Sequence, residues 1–154
     1  MAWSNSKVFV PFIEDALENT SAFALAADVP KAALYDNDIT PDNTVATANS
    51  IYNAGQWTAA GNEVADGTNW DAGGEPITTP TFVPTTNVLK FDGDNTPQGG
   101  ASCTLANVFG CLVHDSSVAN HGLSYHYFGG SNGVTGGTFT VIWHASGIFT
   151  ITLT

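Results

Sequence analysis

Apolar residues recur along this chain at two different periods, and the change from one to the other falls well before its midpoint. Between Ser6 and Asn19, Val8, Phe9, Phe12, Ile13, Ala16 and Leu17 stand at helical spacing, with Glu14, Asp15 and Glu18 left for the other side. The spacing predicts one amphipathic helix that buries Phe12 and Leu17. Pro11 must lie in or near its first turn, where a missing N–H costs little, so the ordered helix starts around Phe9. "KAALYD" reads as a strand that ends in the turn-rich "DNDITPDNT", and "TVATANSIYNAGQW" as a short helix or a loop.

From Asn62 onward the helical period is gone. "NEVADGTNWDAGGEPIT" is rich in turn formers, with Val64, Trp70 and Ile77 as anchors and Gly73 and Gly74 permitting a sharp change of direction. Beyond it, "TFVP", "NVLKFD", "SCTLANVFGCLVHD", "LSYHYFGG" and the closing "GTFTVIWHASGIFTITLT" read as successive strands. In the closing stretch Phe139, Val141 and Trp143 share one face, and so do Phe149, Ile151 and Leu153. A terminal hairpin pairing Trp143 with Phe149, Val141 with Ile151 and Phe139 with Leu153 puts all six on one side, whereas a one-residue slip sets apolar positions against Thr. Gly147 then ends a three-residue loop in the left-handed conformation that such loops require. Nothing in the pattern divides residues 1–154. The reading is a single mainly β domain, a β-sandwich or partly closed β-barrel with one N-terminal amphipathic helix and a C-terminal β-hairpin.

Composition sharpens this picture. Hydrophobic residues make up 43% of the 154, enough to fill one core, while only 11% are charged against roughly 25% in ordinary domains. The strands therefore present Thr, Asn and Ser outward, groups cheaper to bury in an interface than Lys or Glu. Lys7, Lys31 and Lys90 are the only strong cations beside 14 acidic residues, giving a formal net charge of -11. That excludes a groove-tracking basic cluster and argues against direct nucleic-acid binding. The start "MAWSNSKVFVPFIEDAL" lacks the layout of a signal peptide and no run reaches spanning length, so no membrane role and synthesis in the cytosol are expected. Cys103 and Cys111, on one strand, would stand roughly 26 Å apart, far beyond the ~4.4 to 6.8 Å of a bridge, so they read as two small buried hydrophobes.

Candidate chemistry is sparse. His114, His121, His126 and His144 lack HExxH spacing, and no Cys-x-x-Cys pair accompanies them. Asp36, Asp38 and Asp42, and again Asp92, Asp94 and Asn95, look at first like calcium loops. The sixth and twelfth positions are Pro41 and Thr47 in one and Pro97 and Cys103 in the other, where an EF-hand needs Gly and Glu. Turn capping by the carboxylates is the simpler reading, with a weak calcium site of another kind as the alternative. Glu63 with Asp66 or Glu75 could form a hydrolytic carboxylate pair, but no nucleophile elbow, P-loop or dinucleotide fingerprint occurs. The expectation is no enzyme, no metal and no cofactor.

The order "KAALYD", "NEVADGTNWDAGGEPIT", "VLKFD", "ANVFGCLVHD" and "YFGGSNGVTGGTFTVIWHASGIFTITL" resembles small virion structural proteins of tailed bacteriophages, from about Lys7 to Leu153. Its most specific pieces are Asn62-Glu63-Val64 with Trp70 and the following Ala72-Gly73-Gly74, and the terminal Gly-Thr-Phe-Thr-Val-Ile-Trp followed by Gly147-Ile148. The resemblance implies a β-rich component present in many copies, without catalysis. The expected function is a capsid decoration or cementing protein on the outside of the head, bound to the major capsid protein and to itself as a homo-oligomer such as a trimer. The alternatives are a tail-tube, tail-tip or head-to-tail connection protein, and a virion-associated or lysis-related hydrolase.

Overall fold

A computed structural model describes residues 3–97 and 102–154; Gln98, Gly99 and Gly100 of the second aspartate-rich run lie outside it. The chain is mainly β and sandwich-like, not a closed barrel. Strand β1 (Lys7–Val8) leads into helix α1 (Val10–Glu18), followed by β2 (Pro30–Tyr35) and a short helix α2 (Thr47–Ser50). After a 3-10 turn at Gly55–Trp57 come β3 (Glu75–Pro76), β4 (Thr81–Thr85), β5 (Val88–Asp92), β6 (Thr96–Pro97), β7 (Cys103–Asp115), β8 (His121–Gly137), β9 (Thr140–Val141) and β10 (Phe149–Thr152). Among the described residues the sheets run β1-β8-β7-β2-β3, β10-β5-β4 and β6-β9, all antiparallel, and no ladder joins the outer edges into a barrel.

The helix begins where Pro11 allows. Phe9 is its extended N-cap, Pro11 falls in the first turn, and Asn19 closes it with φ 56 while its N–H returns to the Asp15 carbonyl. Val8 is therefore in a strand that pairs with Ser124, not on the helix. The "KAALY" strand is fourth in the order of that sheet, between β7 and β3, pairing Lys31 to Tyr35 with His114 to Gly110. Beyond Tyr35 the "NEV" segment continues that edge, with Val64 N–H on the Leu34 carbonyl and a bridge between Tyr35 and Glu63. Gly74 has φ +81, and a Cβ there would collide with the backbone of Ala32, so only glycine lets β3 approach β2.

The β7 and β8 strands form the backbone of the larger sheet. Gly110 through Asp115 are buried at every position, because β2 and β8 flank them and packed segments cover both faces. Further out, register shifts between Cys103 and Gly110 break the alternation, and Asn107 adopts φ 59 at one of them. Cys103 and Cys111 are both buried free thiols on this one strand. Desolvation pushes Cys103 up to about 11 and Cys111 higher still.

Two aromatic clusters fill the interior. In one, Trp57 lies 5.1 to 6.0 Å from the rings of Tyr35, Trp3, Tyr125 and Phe9. In the other, Phe12 meets Phe23 at 5.0 Å and Phe149 at 5.9 Å, and Phe149 meets Phe91 at 5.1 Å.

The terminal hairpin takes a different form from the one the alternation predicts. The chain does turn at His144 to Gly147, where Gly147 has φ +95 and its N–H bonds the His144 carbonyl. Only that bridge joins the two arms. Phe149, Thr150, Ile151 and Thr152 instead pair with Phe91, Lys90, Leu89 and Val88, while Thr140 and Val141 pair with Pro97 and Thr96. Alternation dictates which residues share a face, and Phe149, Ile151 and Leu153 do share one. It does not dictate the partner, and β5 offers the same parity through Leu89 and Phe91. Trp143 is accordingly only half-buried, its ring 5.5 Å from that of His126 and its indole N–H on the Asp94 carbonyl. Val141 is buried, and Phe139 packs edge-on against the fully buried Trp70 at 5.7 Å.

Candidate functional site

The helix face carrying Phe12, Ile13, Ala16 and Leu17 is one wall of an apolar groove of about 600 Å³. Opposite it stand Phe82 of β4, Leu89 of β5, Ile151 of β10 and Leu153 just beyond, and the irregular stretch Phe23 to Ala27 closes the third side. The groove is the open continuation of the core. At its inner end Phe12 and Phe149 are buried, and at its outer end Leu17 is 82% and Leu153 62% exposed. This corrects the expectation that Leu17 and Leu153 lie in the core. Leu17 follows the helical period, but α1 is nine residues long and its last turn lies over the open end of the groove, where no strand or loop of the described residues covers it. A shallow hollow lined by Val8, Phe9, Val10, Ile13, Glu14 and Leu17 extends the apolar surface across the helix, with Val10 half exposed.

Polar contacts fix these walls. Asp15, at the middle of α1, accepts a hydrogen bond from His121 Nε2 at 2.8 Å and others from Thr47 at 2.9 Å and Thr20 at 2.7 Å. The His121 bond leads in holding the Asp15 carboxyl below its usual range, with burial working the other way. The second His121 ring nitrogen faces the Gly122 carbonyl at 3.0 Å, and Phe23 packs edge-on against the same ring at 5.0 Å. One residue thus ties α1 to α2 and β8. On the loop side, Asp28 Oδ2 accepts the Ala24 N–H at 2.5 Å, and Val29 is fastened to Ser116 and Ser117 at 2.7 and 2.9 Å.

The carboxylates considered for hydrolysis serve the loops. Asp66 accepts the N–H groups of Thr68, Asn69 and Trp70 at 2.7 to 3.0 Å and that of Thr104 at 3.2 Å, and these bonds hold its carboxyl far below the ordinary range. Glu63 takes the Gly73 N–H at 2.6 Å and the Tyr52 hydroxyl at 2.8 Å, and Glu75 takes the Asp71 N–H at 2.9 Å. Each is engaged by N–H or hydroxyl donors of the surrounding segments, Asp66 reaching Thr104 on β7 and Glu63 reaching Tyr52 and Gly73. Beside Glu63, His114 is buried, stacked on Tyr52 at 4.8 Å, with Nε2 on the Gly73 carbonyl at 2.9 Å. Desolvation holds its pKa down at about 4.

The aspartate-rich loops behave alike. Asp36 and Asp42 accept the N–H groups two residues on, Asp92 pairs with Lys90 at 2.6 Å, and Asp94 accepts the Thr79 hydroxyl. Among the described residues no three metal-ligating side chains gather at one point. No helix of the described residues is long and apolar enough to cross a membrane.

Sequence reasoning passed over "FALAA", Phe23 to Ala27, altogether. Its signal was there: five consecutive apolar residues outside any regular element, of which only Leu25 is buried. Comparison with known protein families, characterised proteins and solved structures finds no match to this chain.

Proposed function

We propose that this chain is an assembly protein, and specifically a structural protein of a tailed-phage virion that decorates the outside of the head through protein–protein contacts. The observation that carries the reading is the groove of about 600 Å³ left open between α1 and the smaller sheet, with Leu17 and Leu153 exposed at its mouth. An apolar surface of this kind costs solubility unless a partner covers it. The low charge content favours the same role, since strands faced with Thr and Asn desolvate cheaply. The virion and the trimer rest on the resemblance of the segments from Lys7 to Leu153, and capsid local three-fold positions suit a symmetric binder. A location in the tail is the second reading, favoured by the 13- and 17-residue β7 and β8 strands, which give a long two-stranded ribbon of the sort that stacks between rings.

Electron microscopy of virions carrying a label at the chain terminus tests both. Label spread over the head at symmetric positions is expected, and label confined to the shaft or tip moves the protein to the tail. Recovery only in the soluble lysate, with activity on cell wall or glycan, overturns the structural reading in favour of a hydrolase.

A further inference from the structure

We propose that β10 is a self-association edge, pairing antiparallel with β10 of a second copy about a two-fold axis through Ile151. The inference goes beyond the virion reading and does not depend on it. The smaller sheet, in the order β10-β5-β4, ends in two strands that no further strand pairs among the described residues. An edge strand leaves every second residue with its N–H and C=O pointing away from the sheet. Leu153 N–H bonds the Asn87 carbonyl, and Ile151 and Phe149 pair with Leu89 and Phe91, so these three turn their main-chain groups toward β5. Thr150 and Thr152 turn theirs outward. Both are exposed, and among the described residues no bond reaches their main-chain groups from beyond β5.

This edge is complementary to itself. With the axis through Ile151, Thr150 stands opposite Thr152 of the second copy and Thr152 opposite its Thr150, so each pair exchanges both N–H to C=O bonds and every outward group of the strand is used. A slip by one residue sets these groups against ones already spent on β5. On the groove side the same register places Ile151 against its own copy and the 62% exposed Leu153 against Phe149, which carries the apolar face of Leu89, Ile151 and Leu153 across the axis. On the other side Thr meets Thr. Charge does not oppose the contact locally: β10 has none, and Lys90 beside it is paired with Asp92 at 2.6 Å. The net charge of -11 on each copy acts only from a distance and is screened by salt.

The other edge of the sheet is closed to the same use. Asn87 and Phe91 give their carbonyls to the β10 side, so Val88, Lys90 and Asp92 face β4, and their partners Thr85, Val83 and Thr81 face inward. Phe82 and Pro84 are left as the outward residues of β4. Pro84 has no N–H, and a proline on an edge blocks strand addition. A three-fold ring through these sheets would have to seat β10 on β4 of the next copy and meets that gap. The two-fold contact therefore joins copies without supplying the proposed trimer.

Sedimentation velocity of the full chain, over a wide range of concentration at low and high salt, is expected to show a monomer–dimer equilibrium that salt strengthens. Thr150→Pro removes, once in each copy, an N–H that the monomer does not use; it should weaken the dimer roughly tenfold or more and leave the circular dichroism unchanged. Thr152→Lys, which keeps the backbone and only charges the edge, should weaken it as well. Cross-linking reads the register. Ile151→Cys, at the axis, should form an intermolecular disulfide on mild oxidation and Thr152→Cys should not, with the unsubstituted chain, whose Cys103 and Cys111 are buried, as control. A monomer at every concentration overturns the proposal, as do a dimer indifferent to Thr150→Pro and Thr152→Lys, a trimer that both variants dissociate, or a disulfide at 152 in place of 151. None of these outcomes moves a label off the head, and a label absent from virions leaves the dimer as it is.

Discussion

Replacing Trp57 by Ala should be among the most damaging single changes in this protein, and replacing Trp143 a mild one. Trp57 sits on a one-turn 3-10 segment, yet it is fully buried and its ring touches four others contributed by the N-terminal stretch, the α1 cap, β2 and β8. Its carbonyl also accepts the Tyr35 hydroxyl at 2.7 Å, so the turn and the sheet are fixed to each other twice. Removing the indole leaves a cavity walled by rigid rings that cannot collapse into it, which places the cost toward the upper end of about 3 to 5 kcal/mol. Against a total of about 5 to 15 kcal/mol this is a third of the stability or more. With a urea slope of about 2 kcal/mol/M, the midpoint drops by about 2 M. Trp143, half exposed, loses one edge contact with His126 and one hydrogen bond to Asp94, roughly 1 to 2 kcal/mol. Urea melts followed by far-ultraviolet circular dichroism at neutral pH compare the two directly. A loss at Trp143 equal to that at Trp57 would refute the argument and restore the terminal hairpin, in which Trp143 faces the core.

Other expectations are as direct. Gly147→Ala should cost about 1 kcal/mol or more, because φ +95 disfavours any side chain and the new Cβ would collide with the Phe91 carbonyl that receives Ile148; thermal melts read it. His114 is held at about 4 in the fold and near 6.5 when unfolded, so the unfolded chain takes up its proton first as pH falls; stability is lost between these values, by roughly 3 kcal/mol at the lower end, and His114→Gln flattens that limb. Asp115 has the opposite sign: raised to about 6, it contributes most below its ordinary value near 3.8 and loses that contribution as pH rises through 6, so Asp115→Asn should be the more stable protein above pH 6. Glu63→Gln should bring the Tyr52 phenol down toward its ordinary range, since burial and the Glu63 carboxylate hold it up; ultraviolet absorbance titration shows the shift.

Much of this fold was legible because its signals are local. Pro11 and the spacing of Phe12, Ile13 and Ala16 place the helix to within a residue or two, and the runs beginning at Thr81, Asn87, Ser102 and Leu123 fall on β4, β5, β7 and β8. Trp57 was not legible as a core anchor, since "TVATANSIYNAGQW" carries neither period; its burial comes from tertiary contacts with Trp3, Phe9 and Tyr125, distant in sequence. The terminal register failed for a related reason. Parity is a property of one strand, and pairing is a property of two, so nothing within residues 138–154 could announce that β5 would take β10 and leave β9 to β6.

The groove escaped sequence reasoning for a reason that bears on its use. Phe12 and Leu17 stand five residues apart, about 140° around the helix, at the two margins of the apolar stripe that Ile13 and Ala16 fill, and spacing alone does not say which margin the sheets will cover. What separates them is the ratio of the two sheets. Three strands lie against five, and α1 with the Phe23 to Ala27 stretch takes up the remaining width: Phe12 reaches Phe149 of the smaller sheet and Phe23 reaches His121 of the larger. That filling stops one helical turn short, and the same apolar face that makes the inner core continues outward unfilled through Ile13, Ala16 and Leu17. A surface made this way continues the spacing of a packed core out to solvent, and that continuity is what the proposed assembly role draws on.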